Sequence, residues 1–184
     1  MEIILMRHGK PVLDRTGRIT AAEMAQWIEH YNLSEVEHEN IPIASVKLAD
    51  TAAIIVASTA SRALSSVRAL GHTVSVTDAV FCEAPLPFAL WHFPRLPPYV
   101  WAAFFRLLWL FGYSRCSDSV QVTKVRAERA AQKLITLAKD GPVLLVGHGI
   151  MNHLIAKELI TLGWTSSTMQ KSKYWSASAY VSTN

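Results

Sequence analysis

Short, unbroken apolar runs that stop abruptly at polar residues or glycine mark this chain, the pattern of strands buried on both faces of a parallel sheet. Ile3-Ile4-Leu5-Met6 runs into Arg7-His8-Gly9, Ile54-Ile55-Val56-Ala57 into Ser58-Thr59-Ala60-Ser61-Arg62, and Val143-Leu144-Leu145-Val146 into Gly147-His148-Gly149. Thr73-Val74-Ser75-Val76 alternates as a further strand, and Tyr174 to Val181 alternates imperfectly, which predicts a last strand at a sheet edge. Helical spacing fills the intervals. Thr20-Ala21-Ala22-Glu23 reads as a capping box ahead of Met24, Trp27, Ile28 and Tyr31, and a helix from near Ala60 stops at Gly71. Ala127, Ala130, Ala131, Leu134, Leu137 and Ala138 share a face before Asp140-Gly141-Pro142, and Met151, Leu154, Ile155, Leu159 and Leu162 do so before Gly163. A helical turn is expected near Ile43 to Leu48. This alternation predicts an α/β fold, a three-layer α/β/α sandwich with a mostly parallel central sheet and an antiparallel edge strand.

One stretch breaks the rhythm. From about residue 84 to 116 the chain is rich in Trp, Phe, Tyr and Pro, and it reads as an apolar, cap-like insertion in a single domain spanning residues 1–184. Val100, Ala103, Phe104, Leu107, Leu108 and Phe111 form one helical stripe, yet Tyr99, Trp101, Phe105, Trp109 and Leu110 make the rest of that helix apolar as well. A helix hydrophobic all round is buried or faces something greasy. It is expected to pack on the domain or across a homodimer interface, with a wall for an apolar substrate or a membrane-surface or lipid-phosphate contact as the other readings. Its prolines, Arg95 and Arg106 argue against a spanning helix.

Composition narrows the partners. The 184 residues carry a net charge of +4, which favours anionic ligands, but the basic residues are scattered, so nucleic acid is not expected. Two cysteines, Cys82 and Cys116, make neither a disulfide framework nor a zinc motif. No signal-peptide pattern precedes His8, so a cytoplasmic protein is expected. The histidines at 30, 38, 72, 92 and 153 lack metal-ligand spacing, and neither a Gly-x-Ser-x-Gly elbow nor a P-loop is present. No metal and no cofactor is expected.

The strand ends carry the chemistry. Open α/β sheets bind ligands beyond the carboxyl ends of their strands, where this chain presents Arg7, His8, Arg62 and His148. Guanidinium forks match phosphoryl oxygens, and a neutral imidazole held by its other nitrogen can attack phosphorus. Arg62 falls in the first turn of its helix, beside free backbone N–H groups. Gly9, Gly147 and Gly149 would let the backbone approach the ligand closely. Ser58 lies in register with Arg62, Arg15 belongs to a Lys10-to-Ile19 loop placed over the site, and Trp91 adjoins the site in the insertion; these three are expected to contact substrate. Glu83, shortly after the third strand, is the expected acid and base, with Asp78 as runner-up.

Leu5-Met6-Arg7-His8-Gly9, Ser58-Thr59-Ala60-Ser61-Arg62-Ala63 and Val146-Gly147-His148-Gly149 together resemble the signature of the histidine phosphatase superfamily, which includes cofactor-dependent phosphoglycerate mutases. The resemblance runs from residue 1 to about 160. It implies metal-independent hydrolysis of a phosphomonoester through phosphohistidine on His8, with Arg7, Gly9, Arg62 and His148 around the phosphate and Glu83 and His148 assisting. A phosphomutase, or a non-catalytic module that binds phospho-ligands, are the alternatives. Ala84-Pro85-Leu86-Pro87 after Glu83, and Lys10-Pro11 after the first motif, depart from the mutase pattern and point away from phosphoglycerate.

Overall fold

The computed structural model describes residues 1–13, 17–166 and 173–182. A six-stranded sheet is built from β1 (Glu2–Arg7), β2 (Ile54–Ala57), β3 (Val76–Thr77), β4 (Val143–Gly147), β5 (Thr165–Ser166) and β6 (Ala177–Val181) in the order β3-β2-β4-β1-β6-β5. The first four strands are mutually parallel, and β6 runs antiparallel to both β1 and β5. The α/β/α sandwich is therefore the fold expected from the sequence. Two details differ. The last strand, β6, is interior to the sheet, because the two-residue β5 pairs outside it and becomes the edge. The third strand begins at Val76, later than the alternation suggested.

The helices are α1 (Met24–Leu33), α2 (Ile43–Asp50), α3 (Ser61–Ala69), α4 (Pro98–Leu110), α5 (Val120–Leu137) and α6 (Gly149–Thr161). The capping box forms ahead of α1: Thr20 N–H donates to Glu23 Oε2 at 2.6 Å and Glu23 N–H donates to Thr20 Oγ1 at 3.3 Å. Gly71 follows α3 at φ +84°, a left-handed position that glycine adopts without strain. Helix α5 starts seven residues before the first position read from its stripe, capped by Ser119 Oγ accepting from Val122 N–H.

Strand alternation sorts the core into layers. Ile3, Leu5, Val143 and Leu145 face α5 and α6, packing with Ala131, Leu134, Ile155 and Leu159. Ile4, Met6, Leu144 and Val146 face the opposite way and pack with Ala63 and Val67 of α3. A third cluster lies apart from both. Met24 and Trp27 of α1 pack there against Ala89, Trp101 and Phe105 of the insertion.

The insertion buries a different stripe from the one expected. Trp101, Phe105 and Trp109 are buried, whereas Val100, Phe104, Leu107 and Phe111 are exposed. Indole N–H groups help to select this face, since Trp101 donates to Ile19 O at 2.9 Å and Trp109 to Asp118 O at 2.8 Å. Periodicity had no polar side with which to orient the helix. Among the described residues, no helix is long and apolar enough to cross a membrane.

Candidate active site

Register brings the motifs together. Parallel pairing sets Arg7 opposite Gly147 and Ala57 opposite Val146, so β1, β2 and β4 release His8, Ser58 and His148 side by side. The His8 and His148 ring centroids are 5.1 Å apart. His8 Nδ1 lies 2.7 Å from the carbonyl oxygen of Gly9. A carbonyl only accepts, so Nδ1 carries the ring proton and Nε2 holds the lone pair. Burial, then the charges of Arg62 and Arg7, hold the His8 pKa down to about 3 against the bond to Gly9, so the ring is neutral at ordinary pH.

His148 caps the start of α6, and its Nε2 is 2.7 Å from Ser58 Oγ. Burial, Arg62, His8, Arg7 and Arg126 keep its pKa well below the usual histidine range. Its Nδ1 is buried with no hydrogen-bond partner among the described residues. Ser58, expected to meet substrate, is completely buried behind this imidazole and orients it instead.

Arg7 and Arg62 are each stacked on a tyrosine. The Arg7 guanidinium carbon sits 4.3 Å from the Tyr174 ring centroid, and that of Arg62 sits 4.8 Å from the Tyr31 centroid. Arg62 Nη1 also donates to Tyr31 O at 3.3 Å and Asn32 Oδ1 at 3.1 Å, while its Nε is buried without a partner among the described residues. Gly9 differs from expectation. Its N–H donates to Ser66 Oγ at 2.9 Å, and a Cβ there would run into the indole of Trp175, so the glycine serves close packing within the protein. Gly147 likewise makes room for the Asn152 side chain.

Glu83 accepts from three backbone N–H groups. Oε1 takes those of Ala84 at 2.9 Å and Met151 at 3.0 Å, and Oε2 takes that of Ile150 at 3.3 Å, at the positive end of α6. Oε2, with its single longer contact, is the oxygen freer to exchange a proton. Arg126 holds the backbone beneath, donating to Cys82 O at 2.6 Å and Glu83 O at 3.1 Å. The runner-up Asp78 is instead paired with Lys133 and caps Val80 N–H at 2.8 Å, and it lines no part of the cavity.

These groups border a cavity of about 770 Å³ lined by Arg7, Arg62, Glu83 and Arg106, by Trp27, Tyr31 and Tyr174, and by Leu86, Phe88 and Tyr99 of the insertion. Both histidines lie just beneath this lining, His8 with its ring 5.7 Å from that of Tyr174. Trp91 is not part of the wall. Its half-exposed ring packs 6.1 Å from Phe105 and 6.4 Å from Trp101. Arg15 lies outside the described residues. Among those residues, no three His, Cys, Asp or Glu side chains are grouped as metal ligands.

Asn152 was not read from the sequence. Its Nδ2 donates to Met6 O at 3.0 Å and its Oδ1 accepts from His148 N–H at 3.2 Å, so one buried amide clamps the ends of β1 and β4 beside the two histidines. The available signal was a polar residue on the buried face of α6, between Gly149 and Ile155.

A parallel sheet with two histidines and two arginines at its strand ends is the architecture implied by the histidine phosphatase resemblance. Solved structures agree at the level of fold. Open reading frame Rv3214 from Mycobacterium tuberculosis matches with TM-score 0.63 at 17% identity, covering 97% of this chain and 89% of its own. The vanadate (VO3) complex of mycobacterial glucosyl-3-phosphoglycerate phosphatase Rv2419c matches with TM-score 0.61 at 15% identity, over 97% and 90%. Phosphoserine phosphatase from Entamoeba histolytica, in complex with 3-phosphoglyceric acid, matches with TM-score 0.57 at 17% identity, over 98% and 90%. No protein-family profile and no curated protein sequence matches this chain.

Proposed function

We propose that this chain is a phosphomonoesterase that works through a phosphohistidine on His8. The observation that carries the reading is the Nδ1–H bond to Gly9 O, which leaves a neutral Nε2 lone pair between two arginines. The phosphatases among its structural neighbours support the same class. In the first step the Nε2 lone pair attacks phosphorus, the P–N bond forms, the ester P–O bond breaks, and Glu83 gives a proton to the departing oxygen. In the second, water attacks the phosphohistidine, its proton passes to Glu83, and the P–N electrons return to Nε2. Arg7 and Arg62 neutralise the equatorial oxygens, and His148, steadied by Ser58, donates to one of them.

Burial, and after it the arginine fields, now keep His148 neutral; a bound phosphoryl dianion opposes those fields and favours its protonation. His8 is 2% exposed, and its ring lies 5.7 Å from that of Tyr174 on the cavity wall. Residues 84–116 are part of the same single domain in this reading, with Leu86, Phe88 and Tyr99 walling the cavity.

Rapid quench of the wild-type protein with a ³²P-labelled aryl phosphate tests the mechanism. An acid-labile, base-stable label on His8 is expected, and His8→Ala should lose it together with at least about 10³-fold in kcat. Wild-type-like turnover in His8→Ala overturns the reading.

A further inference from the structure

The cavity is far larger than a phosphoryl group, and one of its walls is built from aromatic rings. Tyr99 of α4 meets Trp27 of α1 edge-to-face with centroids 5.3 Å apart, and Trp27 stacks on Tyr31 at 5.3 Å with the planes 26° apart. Tyr31 in turn lies under the Arg62 guanidinium. The three rings thus form a continuous aromatic path from an exposed residue on α4 to a phosphate-site cation. Leu86 and Phe88 face into the same space.

Two neutral polar side chains of the lining are engaged within the protein: Asn32 Oδ1 accepts from Arg62, and Thr59 Oγ1 lies 3.2 Å from Cys82 Sγ. Once Arg7 and Arg62 are assigned to the phosphoryl oxygens, Arg106 is the remaining cation lining the cavity among the described residues. It is committed elsewhere. Its Nη1 donates to Pro85 O at 3.2 Å, its Nη2 to Ala84 O at 2.9 Å, and its guanidinium covers the Trp109 ring at 4.9 Å. Glu83 adds no cation to the cavity, and its carboxyl is already bonded to the backbone N–H groups of Ala84, Ile150 and Met151. A carboxylate entering this cavity would lose its hydration without gaining a fork in return.

We infer that the substrates are phosphomonoesters of alcohols with a flat aromatic body and no second anionic group, the ring lying along the Tyr99–Trp27–Tyr31 wall. This rests on the phosphatase reading above and adds the substrate class to it. An aromatic ring stacked edge or face on such a wall gains more than its area alone, because ring quadrupoles pair favourably in offset and edge-on contacts.

The test compares three esters of primary alcohols, so that leaving-group reactivity is matched: 2-naphthylmethyl phosphate, ethyl phosphate and 3-phosphoglycerate. Wild type is expected to favour the naphthylmethyl ester over 3-phosphoglycerate by at least about 10-fold in kcat/KM. Tyr99 is more than half exposed, so its replacement leaves the core intact. Tyr99→Ala should lower kcat/KM for the naphthylmethyl ester at least about 5-fold more than for ethyl phosphate, chiefly through KM, and Tyr99→Phe should restore it. Preference for 3-phosphoglycerate overturns the inference. Equal losses on all esters in Tyr99→Ala also overturn it. In either case phosphohistidine formed on His8 leaves the phosphatase reading standing, whereas no turnover of any ester by wild type ends both.

Discussion

The strand-end site and the aromatic insertion are built by opposite means. In the first, backbone pairing does the positioning: Arg7 opposite Gly147, and Ala57 opposite Val146, make three sequence motifs neighbours. Polar groups then finish the site through short, specific bonds such as Asn152 to Met6 and His148. In the second, side-chain packing does nearly everything, and α4 is oriented by which rings find room and which indole N–H groups find carbonyls. A periodic backbone is therefore robust to what surrounds it, while an all-apolar helix takes its orientation from its neighbours.

Breaking each region should have different signatures. The largest expected effect on stability is in the insertion: Trp101→Ala removes a buried ring and its bond to Ile19, costing about 3–5 kcal/mol in chemical denaturation. Phe104→Ala, one turn away on the exposed side, should cost less than about 1 kcal/mol. Equal costs would mean that another face of α4 is buried.

Asn152→Ala attacks the strand-end site through its clamp. It leaves the His148 N–H and the Met6 carbonyl without their partner, and about 1–3 kcal/mol of stability should go with it. If the amide positions the histidines, kcat should fall about 10-fold or more while KM changes little, and Asn152→Asp, which keeps only the acceptor, should recover part of the loss. A stability loss with kcat unchanged would reduce Asn152 to a packing role.

The strand-end site should also show itself as a pH slope. His8 is held down to about 3 in the folded chain from 6.5, and His148 is also depressed. Between those pH values the unfolded chain binds protons that the folded chain refuses, so folding stability is present above pH 6.5 and is lost as pH falls. Each histidine adds up to about 1.4 kcal/mol per pH unit to that slope. Urea melts of wild type and His8→Asn between pH 4 and 6.5 should differ in slope by that amount, and parallel profiles would contradict the buried neutral imidazole.

Much of the site was legible because it lies at strand ends. An apolar run followed by Arg-His-Gly or Gly-His-Gly states both the element and the point at which its side chains leave the sheet, so the sequence alone groups His8, Arg7, Arg62 and His148. Glu83 and Asp78 both follow the third strand in sequence; in space Glu83 lines the cavity and Asp78 pairs with Lys133. Ser58 and Gly9 differ from expectation because each is spent on another protein group, Ser58 on His148 and Gly9 on Ser66 and Trp175. Trp91 was misjudged for a related reason. Adjacency to Glu83 in sequence does not say which side of the insertion a ring will take.

By itself the sequence determined the alternation of strands and helices, the parallel core of the sheet, and the identity of the strand-end cations and imidazoles. All of these follow from periodicity and from where it stops, which are local properties of the chain. Tertiary structure alone decided which face of α4 is buried, that β6 lies inside the sheet, that Asn152 joins β1 to β4, and that Tyr31 and Tyr174 cover the two arginines. Each of these depends on contacts between residues far apart in the chain, where several apolar or polar partners compete and only the closed packing selects among them.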